Sequence, residues 1–386
     1  MVPKLRFKEY KNKLSGFFLG DLADVTTGDK DTQNKVEDGV YPFFVRSQKV
    51  AKINSYSLDC EAILTSGDGV GVGKDYHYIN GKFDFHQRVY CIYNFKKDVS
   101  GSYLYHYFST HFNSRVMRLS AKNSVDSVRR DMITKMSITL PEFSEQTKIA
   151  DFLSSVEEKI TLLNKQYDLL CEYKKGMMQK IFSQQLRLKD ENGEDFPEWE
   201  IYQLKDVADR VTRKNKENNQ TILTISGRDG LVDQMSYFNK QIASKNVSGY
   251  YLINNGEFAY NKSYSQGYPM GAIKMLTNYD KGVVSTLYIC FKLNSNQSNS
   301  FYQHYFESGL QNRSIEKVAQ EGARNHGLLN IGVSDFFDIE LHVPGLKEQT
   351  KIANFLSAIG DKITTKKVEL DKLKTWKQGL LQQMFV

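Results

Sequence analysis

A stretch of 43 residues, Leu140 to Phe182, occurs again from Val343 to Phe385 at a constant offset of 203, with 19 positions identical and no gap. Both copies read as one long helix. In the first, Ile149, Leu153, Val156, Ile160, Leu163, Tyr167, Leu170, Met177 and Ile181 step by four and three residues, the a/d spacing of a heptad seam. In the second, Ile352, Leu356, Ile359, Ile363, Leu370, Leu373, Leu380 and Met384 keep the same register. Lys174 and Lys377 interrupt the seam at matching positions, and Lys366 interrupts the second copy alone. Pro141 and Pro344 stand just before each run, where proline favours extended chain passing into a helix. At about 1.5 Å per residue each helix is roughly 58 Å long. A seam of that length needs a partner, and the nearest candidate is the other copy.

The repeat reaches beyond the helices. Leu5-Arg6-Phe7-Lys8 is echoed by Leu186-Arg187-Leu188-Lys189, and Leu19–Asp24 (LGDLAD) by Leu204–Asp209 (LKDVAD). Between these flanks the two segments barely resemble each other, as expected of one scaffold carrying two different readers. Strand-like runs YPFFV (41–45), EAILTSG (61–67), RVYCIYN (88–94) and MSITLP (136–141) surround a helical run at 102–120. The second half repeats the order with TILTISG (221–227), YYLINNGEFAYN (250–261), GVVSTLYICFKL (282–293), a helical run at 300–319 and FFDIELHVP (336–344). This order predicts an α+β fold: two globular domains, 1–141 and 186–343, and two long helices, 142–185 and 344–386, in an internal repeat.

No run of 18 apolar residues is present, and the start, MVPKLRFKEYKNK, lacks the apolar centre of a signal peptide. The four cysteines are scattered without CxxC spacing, which suits reduced thiols in the cytoplasm. Net charge is +7, with residues 1–141 at 21 − 15 = +6 and residues 186–343 at 17 − 19 = −2. Six carboxylates and no base fall between Asp190 and Glu200. A polyanion partner is allowed by this balance and not demanded by it.

Enzyme signatures are missing. The glycine run Ser66–Lys74 has Asp68 within it and Asp75 directly after it, where a phosphate-binding P-loop needs glycine and Ser/Thr, and it misses GxGxxG in every frame. No HExxH, HxE…CxxC, GxSxG, or NPPY-type methyltransferase motif occurs, and the ExK of Glu172–Lys174 lies mid-helix without a Pro-Asp partner. What remains are loops mixing cationic, amide, hydroxyl and aromatic side chains, the types that hold phosphates and base edges. In the first half these give Gly71, Lys74, His86, Gln87, Arg88, Asn123, Arg129 and Arg130 as candidate DNA contacts. In the second half they give Arg228, Lys262, Ser263, Tyr264, Gln266, Arg324, Asn325 and His326.

Taken together, Pro141…Glu145-Gln146-Thr147-Lys148-Ile149-Ala150…Leu153 and Pro344…Glu348-Gln349-Thr350-Lys351-Ile352-Ala353…Leu356 resemble the junction of one family, the DNA-specificity subunits of type I restriction–modification systems. The likeness covers essentially the whole chain. It implies that each globular domain reads one half of a split target in double-stranded DNA. It further implies that the two helices pack as an antiparallel coiled coil, a pseudo-twofold spacer that fixes the gap between half-sites and docks two modification subunits, and that restriction/translocase subunits then join. S-adenosylmethionine, ATP and Mg would be bound by those partners, with no cofactor or metal on this chain and no membrane. The implied spacer seam is Ile149, Leu153, Val156, Ile160, Leu163 and Leu170 against Ile352, Leu356, Ile359, Ile363, Leu370 and Leu373. The competing readings are a non-enzymatic coiled-coil scaffold with protein-binding lobes, and a stand-alone modification or nuclease enzyme, which the empty motif search disfavours.

Overall fold

The computed structural model describes residues 3–119, 127–227, 229–238, 247–265, 267–319 and 329–385. Its contacts divide the chain into two units, Met1–Lys165 with Lys367–Val386, and Gln166–Lys366. Each unit therefore takes in half of both long helices, whereas the sequence boundaries set the helices apart as segments of their own.

In the first unit the strands are β1 (Ser15–Phe18), β2 (Asp24–Thr27), β3 (Tyr41–Phe44), β4 (Ala51–Ile53), β5 (Leu58–Ser66), β6 (Tyr76–Phe85), β7 (Val89–Tyr93) and β8 (Ser137–Leu140). Its helices are α1 (Gly101–Leu119), the short α2 (Arg130–Thr134), the first part of α3 (Phe143–Phe182) and the end of the last helix, α9 (Leu346–Met384). Six strands form a sheet in the order β2-β7-β5-β6-β3-β4, and β1 pairs separately with β8. Only the β3–β6 pairing in the larger sheet is parallel. Alternation along the central strand β5 sends Ile63 toward α1, where Leu104, Phe108 and Phe112 cover it. Ala62 and Leu64 enter a second core on the opposite face with Phe83, Phe85 and Cys91.

The second unit contains β9 (Glu200–Gln203), β10 (Ala208–Val211), β11 (Leu223–Ser226), β12 (Gly230–Asp233), β13 (Tyr251–Asn254), β14 (Phe258–Asn261), β15 (Ala272–Met275), β16 (Lys281–Val284), β17 (Ile289–Leu293) and β18 (Glu340–Val343). Its helices are α4 (Leu204–Val207), α5 (Gln234–Phe238), α6 (Asn299–Ser308), α7 (Asn312–Val318), α8 (Val333–Phe337), the end of α3 and the start of α9 (Leu346–Met384). The sheet order β10-β17-β14-β15 reproduces β2-β7-β5-β6, and β9–β18 reproduces β1–β8. Sequences with little in common thus share a four-strand frame, with β14 in the place of β5; beyond it β3 and β4 extend the first sheet, whereas β11-β12 and β13-β16 pair separately in the second unit.

Three sequence runs are subdivided. The 250–261 and 282–293 runs are each two strands, the first broken where Gly256 takes φ +82°. The 300–319 run is two helices, because Gly309 closes α6 in the left-handed conformation, and the 336–344 run begins inside α8.

The long helices pack antiparallel. In the first unit the start of α3 meets the end of α9: the Phe152 and Trp376 rings lie edge to face at 5.9 Å, and Lys377 pairs with Glu157. Ile149, Leu153 and Val156 share a core with Leu380, Met384 and Phe385. In the second unit Met178, Ile181 and Phe182 share one with Ile352, Ala353 and Leu356. Leu163, Ile359 and Leu370 are buried, while Ile160, Leu170, Ile363 and Leu373 are half-buried.

Both junctions into the long helices are built alike. Glu145 and Gln146 are each 1% exposed. Arg6 grips Glu145 as a fork, Nε to Oε1 and Nη2 to Oε2, both at 2.6 Å. Gln146 accepts the Ser100 N–H at the start of α1 (3.0 Å) and donates to the carbonyls of Pro141 (2.9 Å) and Asp98 (3.2 Å). Glu348 and Gln349 repeat this with Arg187 (3.0 Å), the Ser298 N–H (3.0 Å) and the Pro344 carbonyl (2.8 Å). The echoed lead-ins around Arg6 and Arg187 are thus counter-charges for two buried carboxylates.

Candidate nucleic-acid interface

In the first unit the loop joining β5 to β6 and the turn joining β6 to β7 lie side by side at one edge of the sheet. The loop is held closed by bonds to its backbone. Gly67 N–H donates to the Arg88 carbonyl (2.8 Å), Asp75 N–H to Gly71 (2.9 Å), and the Tyr76 hydroxyl to the Gly73 carbonyl (2.6 Å). Val128 N–H donates to Gly67 (2.7 Å), which brings Arg129 and Arg130 onto the same edge. Lys74, Gln87, Arg88, Arg129 and Arg130 are all exposed there.

One carboxylate organises the edge. Asp68 accepts Arg46 Nη1 at 2.7 Å and Arg88 Nη1 at 2.5 Å. Burial raises the Asp68 pKa, but the two guanidiniums outweigh it and hold the carboxyl below its ordinary value. Arg46 did not stand out in the sequence, and Asp68 did so only as a break in the P-loop pattern, because the sheet joins positions 22 and 20 residues apart.

Two sequence-predicted contacts are corrected. His86 is buried, and its Nδ1 accepts the Arg88 N–H at 3.0 Å. Burial, with Arg46 close by, lowers its pKa, so the neutral ring shapes the turn instead of facing solvent. Gly71 is also buried; a Cβ there would lie 1.8 Å from Asp75 Oδ2, so its glycine serves loop closure. Asn123 lies outside the described residues.

In the second unit the β14–β15 loop, residues 262–271, occupies the topological place of the β5–β6 loop. Its brace is chemically different. Tyr268 donates its hydroxyl to the Gly227 carbonyl (2.7 Å), and the buried Lys274 ammonium donates to that hydroxyl (2.8 Å). Tyr260 donates to the Met270 carbonyl (2.9 Å), and Leu329 N–H to the Lys262 carbonyl (3.0 Å). Lys262 Nζ reaches the Ile331 carbonyl at 3.4 Å, Ser263 is half-buried, and Tyr264 is exposed. Arg228, Gln266, Arg324, Asn325 and His326 lie outside the described residues. The edges therefore offer guanidinium and ammonium donors in one unit, and an aromatic and hydroxyl surface in the other, types suited to phosphates and base edges.

A family model described as the type I restriction modification DNA specificity domain matches residues 13–171 and again residues 197–375. The chain belongs to this family. Each match covers one globular segment and most of the long helix that follows it. The type I restriction enzyme EcoDI specificity subunit of Escherichia coli is 29% identical over 181 residues, 47% of this chain and 38% of that one. The putative type I restriction enzyme MjaX specificity subunit of Methanocaldococcus jannaschii is 24% identical over 300 residues, 71% of this chain and 65% of that one. The alignments thus span less than two thirds of these relatives. The type-I restriction-modification system S subunit from M. genitalium shares the fold at a TM-score of 0.64 and 16% identity, covering 100% of this chain and 99% of that one. In this type I specificity chain, the Glu-Gln pairs that carried the resemblance are buried packing nodes, and the exposed cations lie on the loops. No helix among the described residues is long and apolar enough to cross a membrane.

Proposed function

We propose that this chain is the DNA-recognition subunit of a type I restriction–modification assembly, each unit reading one half of a bipartite target. The observation that carries this reading is the shared sheet order with unlike loops. β5–β6 and β14–β15 hold the same place, yet one bears an Asp68–Arg46–Arg88 cluster and the other a Lys274–Tyr268 brace. Two readers with one frame and different contacts suit two different half-sites, and joining them raises effective concentration without new contacts.

The long helices act as the spacer between half-sites and as the seat of two modification subunits. Exposed Leu162, Leu169 and Tyr173 on α3, and Val368 and Trp376 on α9, support a protein partner on these helices. The chain itself is non-catalytic and works in the cytoplasm. S-adenosylmethionine, ATP and Mg belong to the modification and restriction subunits that join it.

The test is methylome sequencing of cells that express the chain with its modification subunit. Exchange of residues 9–140 for the matching segment of a relative should change one half-site and spare the other. Insertion of about one helical turn after Leu163 should lengthen the spacer and leave both half-sites intact. An unaltered methylated sequence after the exchange defeats the reading.

A further inference from the structure

We infer that Asp68 is a positioning residue that presents Arg46 and Arg88 as a matched pair for guanine, at adjacent or next-but-one base pairs of the half-site read by the first unit. The inference rests on the function proposed above and goes beyond it by naming the residues and the base.

Arg46 follows β3 and Arg88 sits in the β6–β7 turn, so only the folded sheet brings them together. Each gives one Nη1 donor to a different oxygen of the same carboxylate. A guanidinium has five N–H donors, so each arginine keeps its remaining donors for a ligand. The arginine side chains are 40% and 63% exposed, while Asp68 is 15% exposed beneath them. The carboxylate is thus the inner member and the guanidiniums the outer ones.

Two unpaired guanidiniums this close would repel each other and lose rotamer freedom on binding. A carboxylate between them removes the first cost and lowers the second. Arginine meets guanine O6 and N7 with two parallel donors, a geometry adenine, cytosine and thymine do not offer. Two arginines tied to one carboxylate are close enough to address base pairs stacked about 3.4 Å apart, one or two steps away from each other. Asp68 itself lies on a loop fixed from both sides, by the Gly67 N–H to the Arg88 carbonyl and by Val128 N–H to Gly67, so the pair is aimed by the sheet.

The experiment uses the full chain with its modification subunit. Methylated sites are sequenced for the parent, Asp68→Asn and Asp68→Glu, and duplexes carrying 7-deazaguanine at each guanine in turn are assayed for methylation. The inference expects guanine positions in one half-site that tolerate other bases in Asp68→Asn, with discrimination falling roughly 5- to 150-fold. The other half-site should be unchanged, Asp68→Glu should restore most of the preference, and 7-deazaguanine at those positions should weaken the parent. Thermal unfolding separates this from damage, because Asp68→Asn keeps the side chain's shape and loses only ion pairs to exposed arginines, so its midpoint should fall by no more than about 4 °C. An unaltered motif in Asp68→Asn, or an equal weakening of both half-sites without relaxed choice of base, overturns the inference. No sequence-specific methylation by the parent complex overturns the underlying functional reading instead.

Discussion

Gln146 offers the sharpest test of the junction. Gln146→Leu keeps the volume and removes three hydrogen bonds, to the Ser100 N–H and the carbonyls of Pro141 and Asp98. At about 0.5–1.5 kcal/mol each, and with buried partners left unpaired, the loss comes to roughly 3–5 kcal/mol. That is a large share of the 5–15 kcal/mol that holds a typical domain together. The two tryptophans make the assay local. Trp376 packs on Phe152 in the first unit, and Trp199 packs between Phe182 and Phe301 in the second. Urea unfolding of single-tryptophan variants should show the Trp376 midpoint falling by about 1.5 M in Gln146→Leu, taking a slope of 2–3 kcal/mol per molar. Gln349→Leu should do the same to the Trp199 transition, whereas Lys159→Ala on the exposed face should move neither beyond about 0.5 kcal/mol. A shift below that same limit in Gln146→Leu would refute the claim that this amide ties helix, loop and proline together.

Three further expectations follow from the repeat. Position 157 of the first copy corresponds to Gly360 in the second, where Lys174 Nζ lies 3.5 Å from a built Cβ. Gly360→Glu should therefore copy the Glu157–Lys377 pair and add helix propensity, about 1 kcal/mol together, raising the melting midpoint by roughly 2–4 °C. His106 and His304 are buried, and burial pushes both pKa values down to about 4 from 6.5, with Lys377 and Lys174 adding to the effect and Glu157 and Glu307 opposing it. Below pH 6.5 the unfolded chain binds protons that the folded chain refuses, so stability falls as pH drops toward 4, by up to about 3 kcal/mol per histidine. Urea midpoints at pH 7 and pH 5 should show this slope, and His304→Gln should flatten it for Trp199; an unchanged slope would count against the neutral ring. Leu153→Ala and Leu356→Ala, at fully buried seam positions, should each cost about 2–5 kcal/mol by chemical denaturation.

The long helices were legible because their signal is periodic and written twice, and heptad spacing maps directly onto buried faces such as Leu153 and Leu356. The sheets were partly legible. β6, the longest strand, escaped notice because its first seven residues include no buried one, so little apolar alternation marks it. β1 is exposed along its whole length and is held by pairing with β8 alone. The candidate site was harder still. Lys74, Gln87, Arg88, Arg129 and Arg130 were found from residue type, but Arg46 and Asp68 join them only through sheet register. His86 and Gly71 had the right chemistry for a contact and proved to be internal supports. The Glu-Gln pairs were conspicuous as repeats, while their work became visible only beside Ser100, Pro141 and Arg6.

Because residues 367–385 complete the first unit, its interior lacks part of its cover when its own strands leave the ribosome. Leu380, Met384 and Phe385 emerge roughly two hundred residues after Lys165, an interval of about 10–40 s at ordinary synthesis rates. During translation the second unit, contiguous from Gln166 to Lys366, has its full set of parts first. A nascent chain stalled within α9 would therefore leave its earliest-made half unsealed, and proteolysis of such stalled products should begin there.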